Sequence, residues 1–416
     1  MQYIQIKQAD STLSTTVTLP SSKSESNRAL IIQALTDEEI TLKNLSEARD
    51  TQTMQKLLQS IEPELDVLDA GTTMRFLIAY CAVNSLGKVI KGTPRMHQRP
   101  VRILVDALRE IGADIQYMQE EGYPPVHVRG MTLDQEMKYV RMRGDVSSQY
   151  ISALLMIAPK FDHGLLLELM GKVGSRPYIT MTLGLMQQFG VPHTWENEQA
   201  IRIEPGVYQS ASYTIESDWS GASYWYSMVA LAGQAEVKLM GLRQDSFQGD
   251  QAIVRIMENL GVSSTFESDG VRLTRQEGAK DFSFDFSDCP DLAQTVAVTC
   301  AAKGVRCTMT GLESLRIKET DRILALQQEL AKIGAFLEEK DGTWELIPSE
   351  GDIARDNLII DTYDDHRMAM AFAPLAMCTP LTLENPDVVK KSYPRFWEDL
   401  QKAGVSVEVT GQESGY

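Results

Sequence analysis

Six times along the chain, a run of small or polar residues leads straight into a stretch rich in Ala, Leu and Met. These are SKSESNRALIIQAL from Ser22, GTTMRFLIAYCA from Gly71, SSQYISALLMIA from Ser147, SGASYWYSMVALA from Ser220, PDLAQTVAVTCAA from Pro290 and HRMAMAFAPLAM from His366. Asp69, Asp145, Asp218, Asp288 and Asp364 each stand two residues before the last five starts. Helices this apolar on all sides belong inside a protein rather than on its surface.

A second, more amphipathic kind of helix follows each of the first. Its starts fall near Asp50, Arg99, Arg176, Phe247, Lys318 and Tyr393, each 27–29 residues after its partner. Most of these helices end in glycine, at Gly112, Gly190, Gly261, Gly334 and Gly404. Glycine accepts the left-handed conformation that closes a helix. Short alternating segments come next, such as PPVHVRG, AIRIEPG, GVRLTR and TWELIP, and read as strands. The period therefore predicts a strand–helix–strand–helix–strand–strand unit repeated six times. Only the first unit is short, since nothing between Ser22 and Gly71 leaves room for a glycine-closed helix and a hairpin. Chance spacing of α/β elements is the competing explanation, and six near-equal offsets weigh against it. Six units in 416 residues predict an α/β protein of two domains with three units each.

Cations and hydroxyls collect at the helix starts. Lys23, Ser24 and Arg28 open the first unit, Gly71 and Thr72 the second, with Arg99 in TPRMHQRP. Ser147, Ser148 and Gln149 open the third, followed by Ser175 in GSRPY; the second half supplies Lys318, Arg322, Arg367 and Lys391. Free N–H groups at a helix start favour anions; hydroxyls and glycine backbone suit phosphate, and the guanidinium fork suits carboxylate. Each group also has a plain structural use: a serine can be an N-cap, KETDR a solvated i,i+4 pair, and SRP and QRP first-turn prolines. Placement at corresponding points of the repeat favours anion binding. The formal net charge is −17, from 57 acidic and 40 basic residues, so positive charge gathered in one place requires an explanation. The same acidity predicts no nucleic-acid partner and no anionic membrane. Asp291, Glu319 and Asp365 lie beside the cations, where a carboxylate serves as counter-ion or, if its pKa is tuned, as an acid or base.

The cysteines, at 81, 289, 300, 307 and 378, form no CxxC, and the five histidines show no ligand spacing, so no metal site is expected. MQYIQIKQAD has neither a basic nor an apolar region of the kind that opens a secretory leader, and no apolar run is long enough to span a membrane. Both point to a cytoplasmic protein. DVSSQ has no partners for a serine-hydrolase triad.

The segments LPSSKSESNRAL, DAGTTMRF, PRMHQRP, DVSSQYISALLMIAP, SRPY, LRIKETDR and YDDHRMAM, in this order from residue 19 to 370, resemble the EPSP synthase (3-phosphoshikimate 1-carboxyvinyltransferase) family of enolpyruvyl transferases. The resemblance implies two inside-out α/β domains, each of three βαβαββ repeats. It places the N-terminal domain at 19–217, mainly for shikimate 3-phosphate, and the C-terminal domain at 1–18 and 218–416, with phosphoenolpyruvate and proton-transfer residues. It implies transfer of the enolpyruvyl group of phosphoenolpyruvate to the 5-hydroxyl of shikimate 3-phosphate, with release of phosphate. That step belongs to the shikimate pathway, towards chorismate and the aromatic amino acids. The residues it assigns to shikimate 3-phosphate are Lys23, Ser24, Arg28, Ser147, Ser148, Gln149, Ser175, Tyr178, Asp291, Ser314 and Lys318. To phosphoenolpyruvate it assigns Lys23, Gly71, Thr72, Arg99, Gln149, Arg322, Arg367 and Lys391. Asp291, Lys318, Glu319 and Lys23 would be catalytic, with Asp291 at the attacking hydroxyl and Glu319 as carbon acid/base. No cofactor, metal or covalent enzyme intermediate is required, and a monomer is expected.

Three positions depart from the family's pattern: Asp69 and Ser314 in place of Asn, and Phe76 where Pro often follows the GTxMR motif. Two readings compete. A UDP-N-acetylglucosamine enolpyruvyl transferase would carry a cysteine in the loop that here reads TPRMHQRP. A non-catalytic binder of phosphorylated metabolites would have no need of Asp291, Lys318 and Glu319 together.

Overall fold

The N-terminal segment forms two strands, Tyr3–Gln8 and Thr12–Thr18, and each joins a different sheet. A computed structural model describes residues 2–8, 11–132, 138–349, 351, 353 and 357–410. The chain divides into two compact units: one of residues 1–20 and 216–416, the other of residues 21–215.

In the unit of residues 21–215, strands Glu64–Asp66 and Lys88–Lys91 run parallel, with helix Gly71–Val83 between them in sequence. Helix Arg102–Glu110 follows, then the antiparallel pair Ala113–Tyr117 and Val126–Met131, whose second strand docks on Lys88–Lys91. A parallel pair needs a crossover, here a helix, whereas an antiparallel pair closes through a short turn. Sheets with the same order of strand roles recur in Lys138–Arg143 to Ala200–Ile203 of this unit and three times in the other. In two of those three, the N-terminal strands complete the set. Thr12–Thr18 takes the opening place beside Gln234–Met240, and Tyr3–Gln8 takes the final place between Leu381–Glu384 and Val405–Thr410.

The first repeat differs from the expected unit. It has helices Lys23–Ala34 and Arg49–Leu58 around strand Ile40–Lys43, but no hairpin. Its opening strand comes from the far end of the same unit: Ala211–Thr214 pairs in parallel with Ile40–Lys43. The helix starts also shift. Helix Arg102–Glu110 begins after Arg99 and Pro100, behind a 3-10 turn at Met96–Gln98. Similarly, 3-10 turns Gly249–Ala252, Glu313–Ile317 and Pro386–Lys391 come before helices Ile253–Asn259, Arg322–Lys332 and Phe396–Lys402. The glycines at 112, 190, 261, 334 and 404 all have positive φ.

The apolar helices are buried almost all round, as in Trp219–Leu231 and Ala293–Lys303, and within each unit they pack on one another. The sheets lie outside them, with the alternating burial of strands such as Lys138–Arg143. The apolar helices therefore form the inner layer of each unit, and their starts are fixed by that packing.

Candidate active site

In the unit of residues 21–215, helix Lys23–Ala34 carries Lys23, Ser24 and Arg28 on its first turns, capped by the Ser22 hydroxyl, which accepts from the Glu25 N–H at 3.3 Å. Arg28 is buried. Its Nε donates to Thr182 Oγ1 at 2.7 Å, one Nη to the Ser24 carbonyl at 2.9 Å and the other to Ser152 Oγ at 3.1 Å. Its guanidinium lies 5.4 Å from the Phe76 ring centre and 5.7 Å from that of Tyr178. Burial pulls its pKa down to about 10, against the pull of Tyr178 and Glu25. Ser152 belongs to the helix that Ser147 caps, and Thr182 to the helix that begins after Ser175. One arginine thus ties together three of the segments singled out in the sequence. Phe76 is a face of this cluster.

Ser147 is exposed and Ser148 buried; the Ser147 hydroxyl accepts from the Gln149 N–H at 3.4 Å. Ser175 sits in left-handed conformation at φ 50° and makes no capping bond from its side chain. Gln149 reaches across to donate to Thr72 Oγ1 at 2.9 Å. Ala70 precedes Gly71 and offers no side-chain cap, so the first turn of helix Gly71–Val83 has no side-chain acceptor from that position. Arg99 donates to the Asp69 carbonyl at 3.4 Å, and the Asp69 carboxylate holds Arg49 at 3.0 and 3.1 Å. A Cβ on Gly71 would come within 2.6 Å of Arg99 Nη2 and 2.8 Å of Arg75 Nη1, so the missing side chain is what admits the two guanidinium groups. Lys23 pairs with Asp50 at 3.2 Å, and the Asp50 carbonyl accepts from Thr73 Oγ1 at 3.4 Å. Lys23 therefore stands next to the Gly71 helix start.

The other unit builds its cluster around Asp291, in the 3-10 turn Pro290–Leu292. Arg322 approaches one of its oxygens at 2.9 Å and Arg367 the other at 3.0 Å, with Lys318 at 3.7 Å. Arg322 also holds Glu319 at 2.9 Å and Asp365 at 2.7 Å, and Lys391 reaches Glu319 at 3.2 Å. Asp365 caps helix His366–Phe372, accepting from the Arg367 N–H at 2.8 Å. Arg367 further donates to the Tyr224 hydroxyl at 3.4 Å. Burial alone would raise the Asp291 pKa, but Arg367, Lys318 and Arg322 outweigh it and hold the carboxyl far below the usual range. Arg322 is shifted the other way: burial opposes its charge, and Asp365, Glu319 and Asp291 more than restore it. Ser314 lies exposed in the turn Glu313–Ile317 that leads to Lys318.

Sequence reasoning missed the residues that hold the cluster members in place: Asp50 under Lys23, Ser152 and Thr182 around Arg28, Arg75 beside Gly71, and Tyr224 on Arg367. Asp50 had a signal, because Asp250 stands near the start of the second helix of another repeat. Ser152, Arg75 and Tyr224 lie inside apolar helices and Thr182 in the middle of helix Arg176–Gln188, where nothing in the pattern distinguishes them from packing residues.

Each unit thus gathers cations, with hydroxyls in one and carboxylates in the other, at the starts of its buried helices. The family model for EPSP synthase (3-phosphoshikimate 1-carboxyvinyltransferase) matches residues 7–69 and 59–400. A 3-phosphoshikimate 1-carboxyvinyltransferase of Bacteroides fragilis is 47% identical, over 97% of this chain and 98% of its own. The chain belongs to the EPSP synthase family. A second such relative, from Sulfurovum sp., is 38% identical over 92% of this chain and 95% of its own. The solved structure of an EPSP synthase from Acinetobacter baumannii has the same fold, with a TM-score of 0.81 at 20% identity over 99% of this chain and 100% of that one. Membership in the EPSP synthase family removes the UDP-N-acetylglucosamine reading, against which the cysteine-free loop TPRMHQRP already argued.

Proposed function

We propose that this chain is a 3-phosphoshikimate 1-carboxyvinyltransferase. It transfers the enolpyruvyl group of phosphoenolpyruvate to the 5-hydroxyl of shikimate 3-phosphate and releases phosphate. The observation that carries the chemistry is the Asp291 carboxylate, half-buried among Arg322, Arg367 and Lys318, with Glu319 held between Arg322 and Lys391.

In the unit of residues 21–215, Ser147, Ser148 and Ser175 bind the phosphate of shikimate 3-phosphate, with Gln149 and Tyr178 alongside. Ser24 and Arg28 serve its ring end. Lys23, Gly71, Thr72 and Arg99 serve the phosphate of phosphoenolpyruvate. In the other unit, Arg322 and Arg367 clamp the carboxylate of phosphoenolpyruvate, Lys391 its phosphate, and Lys318 and Ser314 contribute to shikimate 3-phosphate.

Asp291 is the weakest of bases while three cations face it. A substrate carboxylate that engages Arg322 and Arg367 draws positive charge away from it, so substrate binding itself makes Asp291 a better proton acceptor. Glu319 adds a proton to the methylene carbon of phosphoenolpyruvate, C2 becomes electrophilic, and the 5-hydroxyl attacks as Asp291 takes its proton. The tetrahedral adduct then returns a methyl proton to the Glu319 carboxylate as the C–O bond to phosphate breaks, which regenerates the vinyl group, and the phosphate leaves with the proton that Asp291 had taken. Fixed cations favour this charge movement without having to reorganise.

Among the described residues no helix is long and apolar enough to cross a membrane, and we place the enzyme in the cytoplasm as a monomer. The test is phosphate release on mixing the two substrates. Release that requires both supports the reading, and a protein that binds both without releasing phosphate is a binder instead.

A further inference from the structure

Asp250 lies in the 3-10 turn Gly249–Ala252 and is 3% exposed. One of its oxygens accepts from the Ser220 hydroxyl; the other is buried with no hydrogen-bond partner among the described residues. The charges within reach come from every side. Helix Trp219–Leu231 brings its cap Asp218 and Ser220, the segment around Pro290–Leu292 brings Asp291 and the Cys289 thiol, and helix His366–Phe372 brings Arg367. Arg255, on the helix that continues from the turn, acts on Cys289, as do Asp285 and Asp288.

A carboxylate with one hydroxyl donor and one orphaned oxygen is a poorly solvated anion. Burial first, then Asp291, and lastly Asp218 push its pKa up to about 7, while Arg367 and Ser220 pull the other way. Its charge matters to the cluster. Leaving His366 aside, Lys318, Arg322, Arg367 and Lys391 face Asp291, Glu319 and Asp365, four cations against three carboxylates. An ionised Asp250 would cancel that excess and compete with Asp291 for Arg367.

We propose that Asp250 is a positioning residue that carries a proton, so that Arg367 stays with Asp291 and the cluster keeps a net positive charge for a substrate carboxylate. This rests on the reading of Arg322 and Arg367 as the clamp for the carboxylate of phosphoenolpyruvate. Deprotonating Asp250 then weakens phosphoenolpyruvate binding, with turnover at saturation changed much less.

The experiment is the KM for phosphoenolpyruvate at saturating shikimate 3-phosphate across neutral pH, in wild type, Asp250→Asn and Ser220→Ala. Asparagine keeps the shape and cannot ionise. The ratio of wild-type to Asp250→Asn KM cancels the substrate's own ionisation. It should be near one at about pH 6 and climb to roughly tenfold by about pH 9, the effect of about one unit of coupling between charge and ligand. Ser220→Ala removes the one hydroxyl that steadies the anion, so its climb should move to more alkaline pH. A flat ratio with both enzymes active overturns the proposal, and so does a Ser220→Ala climb that stays in place or moves to lower pH. If Asp250→Asn does not fold, the Ser220→Ala comparison decides. Wild type that releases no phosphate at any pH removes the functional reading, and this inference with it.

Discussion

At the scale of single residues, the two clusters show how a protein with an excess of acidic groups presents positive charge. Arg322 is braced by the Asp365 carboxylate and Arg99 by the Asp69 carbonyl, each from a neighbouring helix start, while Arg28 is braced by the Ser152 and Thr182 hydroxyls. Glu319 is the exception in purpose, since it is braced by cations. Glu319→Gln keeps the size of the side chain but cannot exchange a proton with carbon. Turnover should fall by roughly 10²–10⁴, the usual worth of a general acid/base, with little change in either KM. A variant that keeps more than half the wild-type turnover removes Glu319 from proton transfer. Gly71→Ala acts through position. Its methyl group meets the flexible ends of Arg99 and Arg75, so the fold survives and the guanidinium groups move. Loss of one charge-assisted contact predicts a KM for phosphoenolpyruvate raised about 10–100-fold, with that for shikimate 3-phosphate nearly constant. Equal effects on the two values would remove Gly71 from the phosphoenolpyruvate side.

At the scale of elements, closing glycines of the same sequence type are not equally constrained. Gly404, at φ 92°, has nothing within 4 Å of where a Cβ would stand, whereas Gly261, at φ 96°, has the Gln276 carbonyl oxygen at 2.8 Å. Alanine at Gly404 therefore adds only the strain of a left-handed residue, about 1–2 kcal/mol. Alanine at Gly261 must also displace backbone. Urea denaturation should show Gly261→Ala as the more destabilised of the two, and equal midpoints would mean that the sheet edge at Gln276 yields freely. These glycines were legible because a helix end has a local chemical requirement. The apolar helices were legible because burial on all sides leaves no polar face to disguise. The borrowed strand Ala211–Thr214 was not: its partner Ile40–Lys43 is far away in sequence, and such a pairing leaves no local trace. The late starts of helices Arg102–Glu110 and Arg322–Lys332 were missed for another reason: a 3-10 turn has nearly the same residue preferences as the first turn of an α-helix. Within the site, Lys318, Arg322 and Arg367 could be read from their placement in the repeat. The Asp250–Ser220 pair could not, because its meaning lies in what surrounds it.

At the scale of the whole molecule, the two units differ in how they are encoded. One is a continuous segment, 21–215, and the other needs residues from both ends of the chain. Ile4, Ile6, Leu13, Val17 and Leu19 all lie within the apolar core of the discontinuous unit, beside Trp219 and Trp225. At about 1.5–3 kcal/mol for each large buried side chain, they contribute on the order of 10 kcal/mol, comparable with the whole stability of an ordinary domain. A fragment of residues 21–215 should therefore fold alone, with a dispersed amide spectrum and a cooperative melt. A fragment beginning at residue 216 should not, and adding a peptide of residues 1–20 should restore structure to it. A well-folded 216–416 fragment without the peptide would show that the N-terminal strands are accessories.

Strand Tyr3–Gln8 lies between Leu381–Glu384 and Val405–Thr410, so both its neighbours come from the last part of the chain. On a ribosome, this segment is made long before either of its partner strands. At the usual rate of synthesis it waits roughly 20–80 s for its partners, tethered to a neighbouring unit that is already free to fold. Throughout that time Ile4 and Ile6 have no sheet to enter. A slower ribosome therefore lengthens the exposure of this strand while leaving the continuous unit of residues 21–215 untouched.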